Sequence, residues 1–198
     1  MTLEIAVLPN TGCLLESAIS CYTEAFSLPP YSDPNRGREV QTRLQTTHRQ
    51  IAGFRAFIAV KSTARETAVG LCYGYKSQSG QWWHETVRKQ LDKSLLPTWF
   101  DTAYELVEIA VLPSEQGQGI GTQLISSLLA KRPEPGCLLS TRIDSRAYQL
   151  YERLGFSVLG ESCASKEINL SLSTPCFFAC SITCSALSNC FSLISASM

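Results

Sequence analysis

A glycine-rich turn that joins a strongly patterned strand directly to a helix is the feature that most constrains the fold of this chain. Residues 104–112 are rich in apolar and β-branched side chains, which predicts a strand. Gly117, Gly119 and Gly121 follow within a few residues. An apolar face at helical spacing comes next, formed by Ile120, Leu124, Ile125, Leu128 and Leu129. The stretch therefore predicts a strand, a tight glycine loop and an amphipathic helix in succession.

This loop has the properties of a phosphate-binding turn. Glycine lets backbone amides approach a ligand because no Cβ intervenes, and a helix N-terminus presents unpaired N–H groups with partial positive charge. No Gly-Lys-Ser/Thr follows, so the loop is not a P-loop, and Gly117-Gln-Gly-Ile-Gly does not fit the Gly-x-Gly-x-x-Gly dinucleotide fingerprint. We expect a pyrophosphate site that uses no lysine, although such a turn alone also suits a plain strand–helix connection.

The remaining elements alternate between strands and helices along the chain. Further strands are predicted at residues 3–8, 54–60, 68–75, 137–143 and 156–159, the second and third of them as an antiparallel hairpin. Further helices are predicted at about residues 15–26, 38–51, 80–93 and 145–154. This order predicts a mixed α/β domain with helices on both faces of one sheet.

Two linked motifs resemble the GNAT superfamily of acetyl-CoA-dependent N-acetyltransferases. Gln116-Gly-Gln-Gly-Ile-Gly121 fits the family signature Gln/Arg-x-x-Gly-x-Gly/Ala, and Val111-Leu-Pro113 fits the Val-x-Pro before it. Ala147-Tyr-Gln-Leu-Tyr-Glu-Arg-Leu-Gly-Phe156 resembles the second motif, in the family's order and separation. The resemblance covers about residues 3–160. It implies the GNAT fold, with a central mixed sheet of about six to seven strands, splayed at the cofactor site.

The resemblance also implies how acetyl-CoA is held as a cosubstrate. The loop amides and the start of the helix would bind the pyrophosphate: Gln116, Gly117, Gln118, Gly119, Ile120, Gly121 and Thr122. The strand backbone would pair with the pantetheine arm like an added strand, at Ile109, Ala110 and Val111. No metal is expected. One departure is Asp144, where the family often has asparagine; we expect its carboxylate to cap the next helix.

In this family an amine attacks the acetyl carbonyl directly, so the chain needs a group that removes the amine proton and one that protonates the thiolate. Tyr151 falls on the family's tyrosine near the thioester sulfur. Glu105 and Glu108 are the candidate bases on the strand, and in a regular strand they face opposite sides, although the bulge usual in this family would break that parity. Glu108 is slightly preferred because it lies nearer the reacting centre. A structural or solvated glutamate is the competing interpretation for both.

The acceptor is expected to be a primary amine of a small molecule. Tyr31, in a proline-rich turn, and the pair Trp82 and Trp83 are candidates for lining its pocket. The competing interpretation is a proline turn and surface aromatics packed on the core. A protein or peptide acetyltransferase and a catalytically silent acyl-CoA-binding module are the alternative functions. Members of the family are often dimers, so a homodimer is a further expectation.

Charge and cysteine usage exclude several other classes. Lys plus Arg and Asp plus Glu number 17 each, so the balance is not that of a general nucleic-acid or membrane-surface binder. The first residues lack the pattern of a secretory signal. His48 and His84 show no metal-ligand spacing with cysteines or acids. We read the cysteines before residue 160 as reduced thiols of a cytoplasmic protein.

The composition changes after residue 160. No Asp, Glu, Lys or Arg occurs from Ile168 to Met198, and serine and cysteine dominate. Ile168-Asn-Leu-Ser-Leu172 alternates and is predicted to supply a last strand. We therefore place the catalytic domain at residues 1–172 and expect a poorly ordered tail at 173–198. The apolar stretch in this tail is long enough for a membrane span, but its serines make it a poor match.

Overall fold

The computed structural model describes residues 3–62, 67–90, 102–161 and 175–181, the last of these for the backbone only. These residues form two compact units. The first lies within Met1–Lys76 and Leu106–Lys131, and the second within Ser77–Glu105 and Arg132–Met198.

The described residues alternate between strands and helices, as the sequence predicts. The strands are β1 (Leu3–Val7), β2 (Arg55–Lys61), β3 (Thr67–Lys76), β4 (Ala103–Val111), β5 (Gly136–Arg142), β6 (Ser157–Glu161) and β7 (Pro175–Ser181). The α-helices are α1 (Cys13–Ser27), α2 (Arg36–Thr46), α3 (Trp82–Gln90), α4 (Ile120–Leu129) and α5 (Arg146–Arg153). Two 3₁₀ turns, His48–Gln50 and Pro113–Glu115, complete the set.

In the first unit β1, β2 and β3 form an antiparallel meander, with the second half of β4 next to β3. The predicted hairpin of residues 54–60 and 68–75 is confirmed as β2 and β3. The core lies where α1 and α2 pack on the sheet, and it includes Leu15, Ala18, Ile19, Tyr22, Phe26, Val40, Leu44, Leu71 and Tyr73.

Helix α4 packs on the other face of β3. A Cβ added at Gly70 would lie 2.9 Å from Leu124 and 3.4 Å from Ile120, both on α4. Glycine at this position therefore lets the helix approach the strand closely. Because Leu71 joins the core beneath α1 and α2, successive β3 residues face opposite layers. Helices thus cover both faces of β3, as predicted.

In the second unit the first residues of β4 pair with β5 in parallel, from Ala103 opposite Gly136 to Glu105 opposite Leu138. Strand β7 lies between β5 and β6 and is antiparallel to both. The seven described strands therefore form a mixed sheet, in agreement with the predicted α/β class. The expected splay of the sheet stays a prediction.

Strand β7 lies beyond the predicted boundary of the catalytic domain, and that boundary stays a prediction. Pro175–Ser181 pairs along the whole of β5, so the sheet extends past the boundary placed at Leu172. The alternating segment predicted as the last strand, residues 168–172, lies outside the described residues. In the sheet, Pro175–Ser181 has a neighbouring strand on each side.

Candidate active site

The glycine loop begins where β4 ends. The Leu112 N–H donates to the Val69 carbonyl at 2.9 Å, which holds the end of β4 against β3. After the Pro113–Glu115 turn, Gly117 has φ 82° and Gly119 has φ 77°. Gly119 is the N-cap of α4 in the left-handed conformation, which side chains other than glycine, asparagine and aspartate rarely adopt. The glycines at 117 and 119 are thus required by the backbone path.

The space above these glycines is open. A Cβ added at Gly117 or Gly119 would meet no atom within 4 Å, so packing does not explain the missing side chains. The first turn of α4 carries no acidic side chain, and its N–H groups are those that a helix leaves unpaired. The backbone there presents donors and partial positive charge to open space, which suits a phosphate group.

Three side chains brace the loop. The Gln116 Nε2 donates to the Val111 carbonyl at 3.0 Å, and the Gln118 Nε2 donates to Glu115 Oε2 at 3.0 Å. Lys61 forms an ion pair with the same Glu115 oxygen. The hydrogen bond from Lys61 is the main reason that the pKa of Glu115 is lowered. The charge of Glu115 is therefore balanced by Lys61, and this carboxylate repels an anionic ligand less.

Glu108 is the centre of a buried charge cluster in the first unit. Its carboxylate is 6% exposed and accepts a hydrogen bond from the Tyr22 hydroxyl at 2.5 Å on Oε2. Arg43 Nη2 donates to Oε1 at 3.1 Å, and Arg36 Nη2 lies 3.6 Å from Oε2. Two helices and a strand thus meet at one carboxylate, which explains why burial of this charge is tolerated.

Arg36 connects this cluster to the rings of Phe26 and Tyr31. Its Nε donates to the Tyr22 hydroxyl at 2.9 Å, and its guanidinium lies 4.6 Å from the Phe26 ring centroid and 5.8 Å from that of Tyr31. Burial disfavours the cation, but Glu108 and Tyr22 outweigh this and raise the pKa of Arg36. Burial, followed by the charge of Glu108, raises the pKa of Tyr22 well above its ordinary value. Tyr22 is therefore a protonated donor at neutral pH.

His48 lies next to the cluster. Its Nδ1 is 3.1 Å from the Tyr73 hydroxyl, and its ring meets that of Tyr75 edge-on at 5.3 Å. Burial and the charge of Arg43 lower the pKa of His48 to about 4, so the imidazole is neutral at pH 7. The sequence interpretation missed Tyr22, Arg36, Arg43 and His48 as a group. The one available signal was the excess of arginine in α2 of a chain with no net charge.

Tyr151 and Glu105 belong to the second unit. Tyr151 lies in the last turn of α5, is buried, and packs its ring 5.7 Å from that of Phe156. The Phe156 N–H donates to the Tyr151 carbonyl at 3.0 Å, which fixes the chain after the helix. Glu105 is buried on β4 opposite Leu138. Their predicted catalytic roles stay predictions.

The aromatic pocket candidates have different surroundings. Tyr31 is partly buried and its ring meets that of Phe26 at a tilt, with the ring centroids 4.4 Å apart, so it packs against the core of the first unit. Trp83 Nε1 donates to the Ser140 hydroxyl at 3.0 Å, whereas Trp82 is 71% exposed. Of the three, Trp82 has the most surface available to a ligand, and the pocket role of all three stays a prediction.

The expectation for Asp144 was wrong. The N-cap of α5 is Ser145, and no side chain caps this helix end. Arg142 instead forms two hydrogen bonds to Asp144, from Nε at 3.0 Å and from Nη2 at 2.9 Å, which lower the pKa of that carboxyl. A guanidinium fork binds a carboxylate more strongly than a single backbone N–H does, so the ion pair prevails over the cap.

The described cysteines are free thiols. Cys21, Cys72 and Cys137 are buried and Cys13 is exposed. Burial raises the pKa of Cys21 to about 12, so this thiol is unreactive at neutral pH. Within the described ranges, no three His, Cys, Asp or Glu side chains gather closely enough to hold a metal ion.

A helix needs sufficient length and hydropathy to span a membrane. No helix in the part of the chain that the structure describes is long and apolar enough to cross one.

Comparison with known proteins agrees with the geometry of the loop. Residues 82–158 match the family model described as an acetyltransferase (GNAT) domain. Over 172 residues the chain is 33% identical to a GCN5-like protein acetyltransferase of Mycobacterium tuberculosis, a match that covers 72% of this chain and 81% of that protein.

Solved structures show the same fold at lower identity. The chain is similar to the ribosomal-protein-S18-alanine N-acetyltransferase of Escherichia coli, with a TM-score of 0.59, 16% identity and coverage of 92% of this chain and 95% of that one. It is also similar to Arabidopsis thaliana NAA60 in complex with acetyl-CoA, with a TM-score of 0.62, 15% identity and coverage of 91% and 99%. The family match and the fold define the class of the protein as an acyltransferase. The chain belongs to the GNAT superfamily of acetyltransferases.

Proposed function

We propose that the protein transfers an acetyl group from acetyl-CoA to the nitrogen of a primary amine. The observation that carries this proposal is the loop at Gly117 and Gly119, where positive φ angles and open space leave backbone donors exposed at the start of α4. A pyrophosphate fits this arrangement because it needs several N–H donors and no side chain in the way. The donors that a pyrophosphate would use here are backbone N–H groups, so the fit does not depend on a basic side chain.

The loop and the strand would divide the binding of the cosubstrate. The amides of Gln116 to Gly121, with Thr122, would bind the pyrophosphate. The backbone at Ile109, Ala110 and Val111 would pair with the pantetheine arm as an added strand. Acetyl-CoA, when bound, supplies an activated thioester. The protein's contribution would then be to hold the amine in line with it, which accounts for most of the acceleration in reactions of this kind.

The amine must lose a proton to react, and the departing thiolate must gain one. We propose Glu108 for the first role, with Glu105 as the alternative, and Tyr151 for the second. Hydrogen bonds from Tyr22 and Arg43 fix the Glu108 carboxylate and leave part of its acceptor capacity unused. A neutral phenol, with a reference pKa of about 10, is a usable donor to a thiolate.

We propose a small molecule as the acceptor, because a chain with no excess of negative charge has no general attraction for basic peptides. The second candidate is an amine of a protein. It is favoured by the likeness to the M. tuberculosis relative, which is named a protein acetyltransferase. The free thiols support a cytoplasmic location, and a homodimer remains a prediction.

The test has two stages. Coenzyme A should raise the melting temperature of the purified protein in a concentration-dependent way. A panel of small amines and unstructured lysine peptides is then incubated with acetyl-CoA, and free thiol release is followed. Release that requires an amine supports the proposal. Coenzyme A binding without release for any amine would identify a silent acyl-CoA-binding module instead.

A further inference from the structure

We propose that the acceptor is an amine that also carries a carboxylate, of the amino-acid type, and that Arg36 and Arg43 bind this carboxylate. The inference rests on the proposed acetyl transfer and names the substrate class. It is carried by the charge cluster around Glu108, whose cations exceed its anions.

The cluster holds two guanidinium groups and one carboxylate. Tyr22 adds no charge, because it donates its hydroxyl proton to Glu108 and stays protonated at neutral pH. Among the described residues, neither Arg36 nor Arg43 forms an ion pair with a second carboxylate. One positive charge is therefore uncompensated within the cluster. Glu39 lies between the two arginines on α2, but it is exposed and screened by solvent.

The two arginines also have hydrogen-bond donors to spare. A guanidinium carries five N–H donors. Arg43 uses Nη2 on Glu108, while its buried Nε has no hydrogen-bond partner within the described chain. Arg36 donates from Nε to Tyr22, and its Nη2 lies 3.6 Å from Glu108 Oε2, an ion-pair distance. The side chains of Arg36 and Arg43 are 31% and 40% exposed, whereas Glu108 is 6% exposed. A ligand can therefore reach the cations more easily than the anion.

The chemistry of the site selects the ligand class. The planar fork of a guanidinium matches a carboxylate and binds it in two parallel hydrogen bonds. Glu108 immediately precedes the strand segment that begins at Ile109, which we assign to the pantetheine arm. An α-amino acid has its amine and carboxylate on one carbon. A carboxylate held by Arg36 and Arg43 would therefore keep the amine beside Glu108, close to the reacting end of the arm.

The experiment compares matched acceptors. Amino acids with small, acidic, basic and aromatic side chains are each tested beside the corresponding amino-acid amide, which keeps the amine and loses the carboxylate. The values of kcat/KM are divided by the fraction of neutral amine at the assay pH. We expect the preferred acid to exceed its amide by about 10-fold or more, the effect of a charge-assisted hydrogen bond.

Three variants assign this preference to the cluster. Arg43→Gln should reduce the acid-to-amide ratio by about 10-fold, whereas Arg43→Lys should retain part of it because the charge remains. Arg38→Gln is the matched control, since it removes the same charge from an exposed position of the same helix, and it should leave the ratio unchanged. A purely structural role of Arg43 would lower both rates together. The coenzyme A-induced rise in melting temperature verifies that each variant is folded.

The outcomes separate the two proposals. Amides that react as well as acids, an acid preference that survives in Arg43→Gln, or transfer to protein lysines alone would overturn the inference and leave the acetyltransferase intact. If the enzyme binds coenzyme A and acetylates neither these amino acids and amides nor the wider panel of small amines and lysine peptides, the proposed function fails and the inference fails with it.

Discussion

A pair of isosteric substitutions at Gly119 separates the phosphate-binding role of the loop from its folding role. Asparagine and aspartate both tolerate the left-handed conformation that Gly119 adopts at φ 77°, ψ 3°. Neither meets a neighbour at Cβ, because the space is open to 4 Å. Gly119→Asn and Gly119→Asp therefore share similar backbone strain and shape, and they differ by one negative charge.

The charge should affect binding and stability in opposite directions. Two unit charges about 4 Å apart interact by about 1 kcal/mol in water and about 4 kcal/mol at an effective dielectric constant near 20. The loop is exposed, so we expect Gly119→Asp to lose about 2 kcal/mol of coenzyme A binding relative to Gly119→Asn, a roughly 30-fold higher Kd. The same carboxylate at the N-terminus of α4 should stabilise the ligand-free protein by about 0.3–1 kcal/mol.

The assay combines calorimetric Kd values with melting temperatures in the absence of ligand. Higher salt should narrow the difference in Kd, because the repulsion is screened at an exposed site. Gly80→Asp serves as a further control, since Gly80 also has positive φ and open space but lies outside the loop. Equal coenzyme A affinity in Gly119→Asn and Gly119→Asp would refute the placement of the pyrophosphate at this turn.

Four further predictions follow from the structure. Glu108→Gln should destabilise the protein by about 1–3 kcal/mol in urea unfolding, less than a fully buried pair because both arginines are partly exposed. Glu115→Gln, which breaks an ion pair in contact with solvent, should destabilise the protein less; equal losses would contradict the cluster. Tyr151→Phe should bind coenzyme A normally and lower single-turnover transfer by about 10- to 1000-fold, and an unchanged rate would exclude the acid role. His48 has a pKa of about 4 in the folded protein and 6.5 in the unfolded chain, so the unfolded state binds more protons between these pH values. The free energy of unfolding should therefore fall by about 1–2 kcal/mol as the pH drops from 6.5 to 4, a figure reduced for the partial exposure of the ring. The same fall in His48→Gln would argue against this origin. Truncation after Leu172 removes β7 and should unfold or aggregate the protein, whereas truncation after Ser181 should preserve coenzyme A binding; full binding by the shorter chain would contradict the pairing with β5.

The sequence predicts the elements whose signals are local. The hairpin of β2 and β3, the strand β4 and the amphipathic helix α4 follow from residue spacing, and the glycine loop follows from its own composition. The family resemblance adds a single mixed sheet of about six to seven strands. The hairpin, the strand, the helix and the loop are each determined by residues close together in sequence, so residue periodicity is enough to predict them.

The rest depends on contacts between distant parts of the chain. Tyr22 and Glu108 are 86 residues apart, and Arg43 and Glu108 are 65 apart, so no local pattern shows that they meet. The spacing of Tyr22 on α1 predicts only a core aromatic. The last strand predicted at residues 168–172 lies outside the described residues and stays a prediction, while Pro175–Ser181 pairs with β5. Strand pairing depends on which segment reaches a free sheet edge, which propensity alone does not determine.

The most direct test of the account is a single-turnover transfer with acetyl-CoA that carries an isotopic label in its acetyl group. The protein is used in excess over the cosubstrate, with a reactive amine from the panel, and the product is analysed by mass spectrometry. Direct acetyl transfer predicts a labelled N-acetyl amine, one free thiol for each acetyl group transferred, and a strong loss of both in Gly119→Asp at limiting cosubstrate. Coenzyme A release without a labelled amide, or transfer that is equally fast in Gly119→Asp and Gly119→Asn under those conditions, would contradict it.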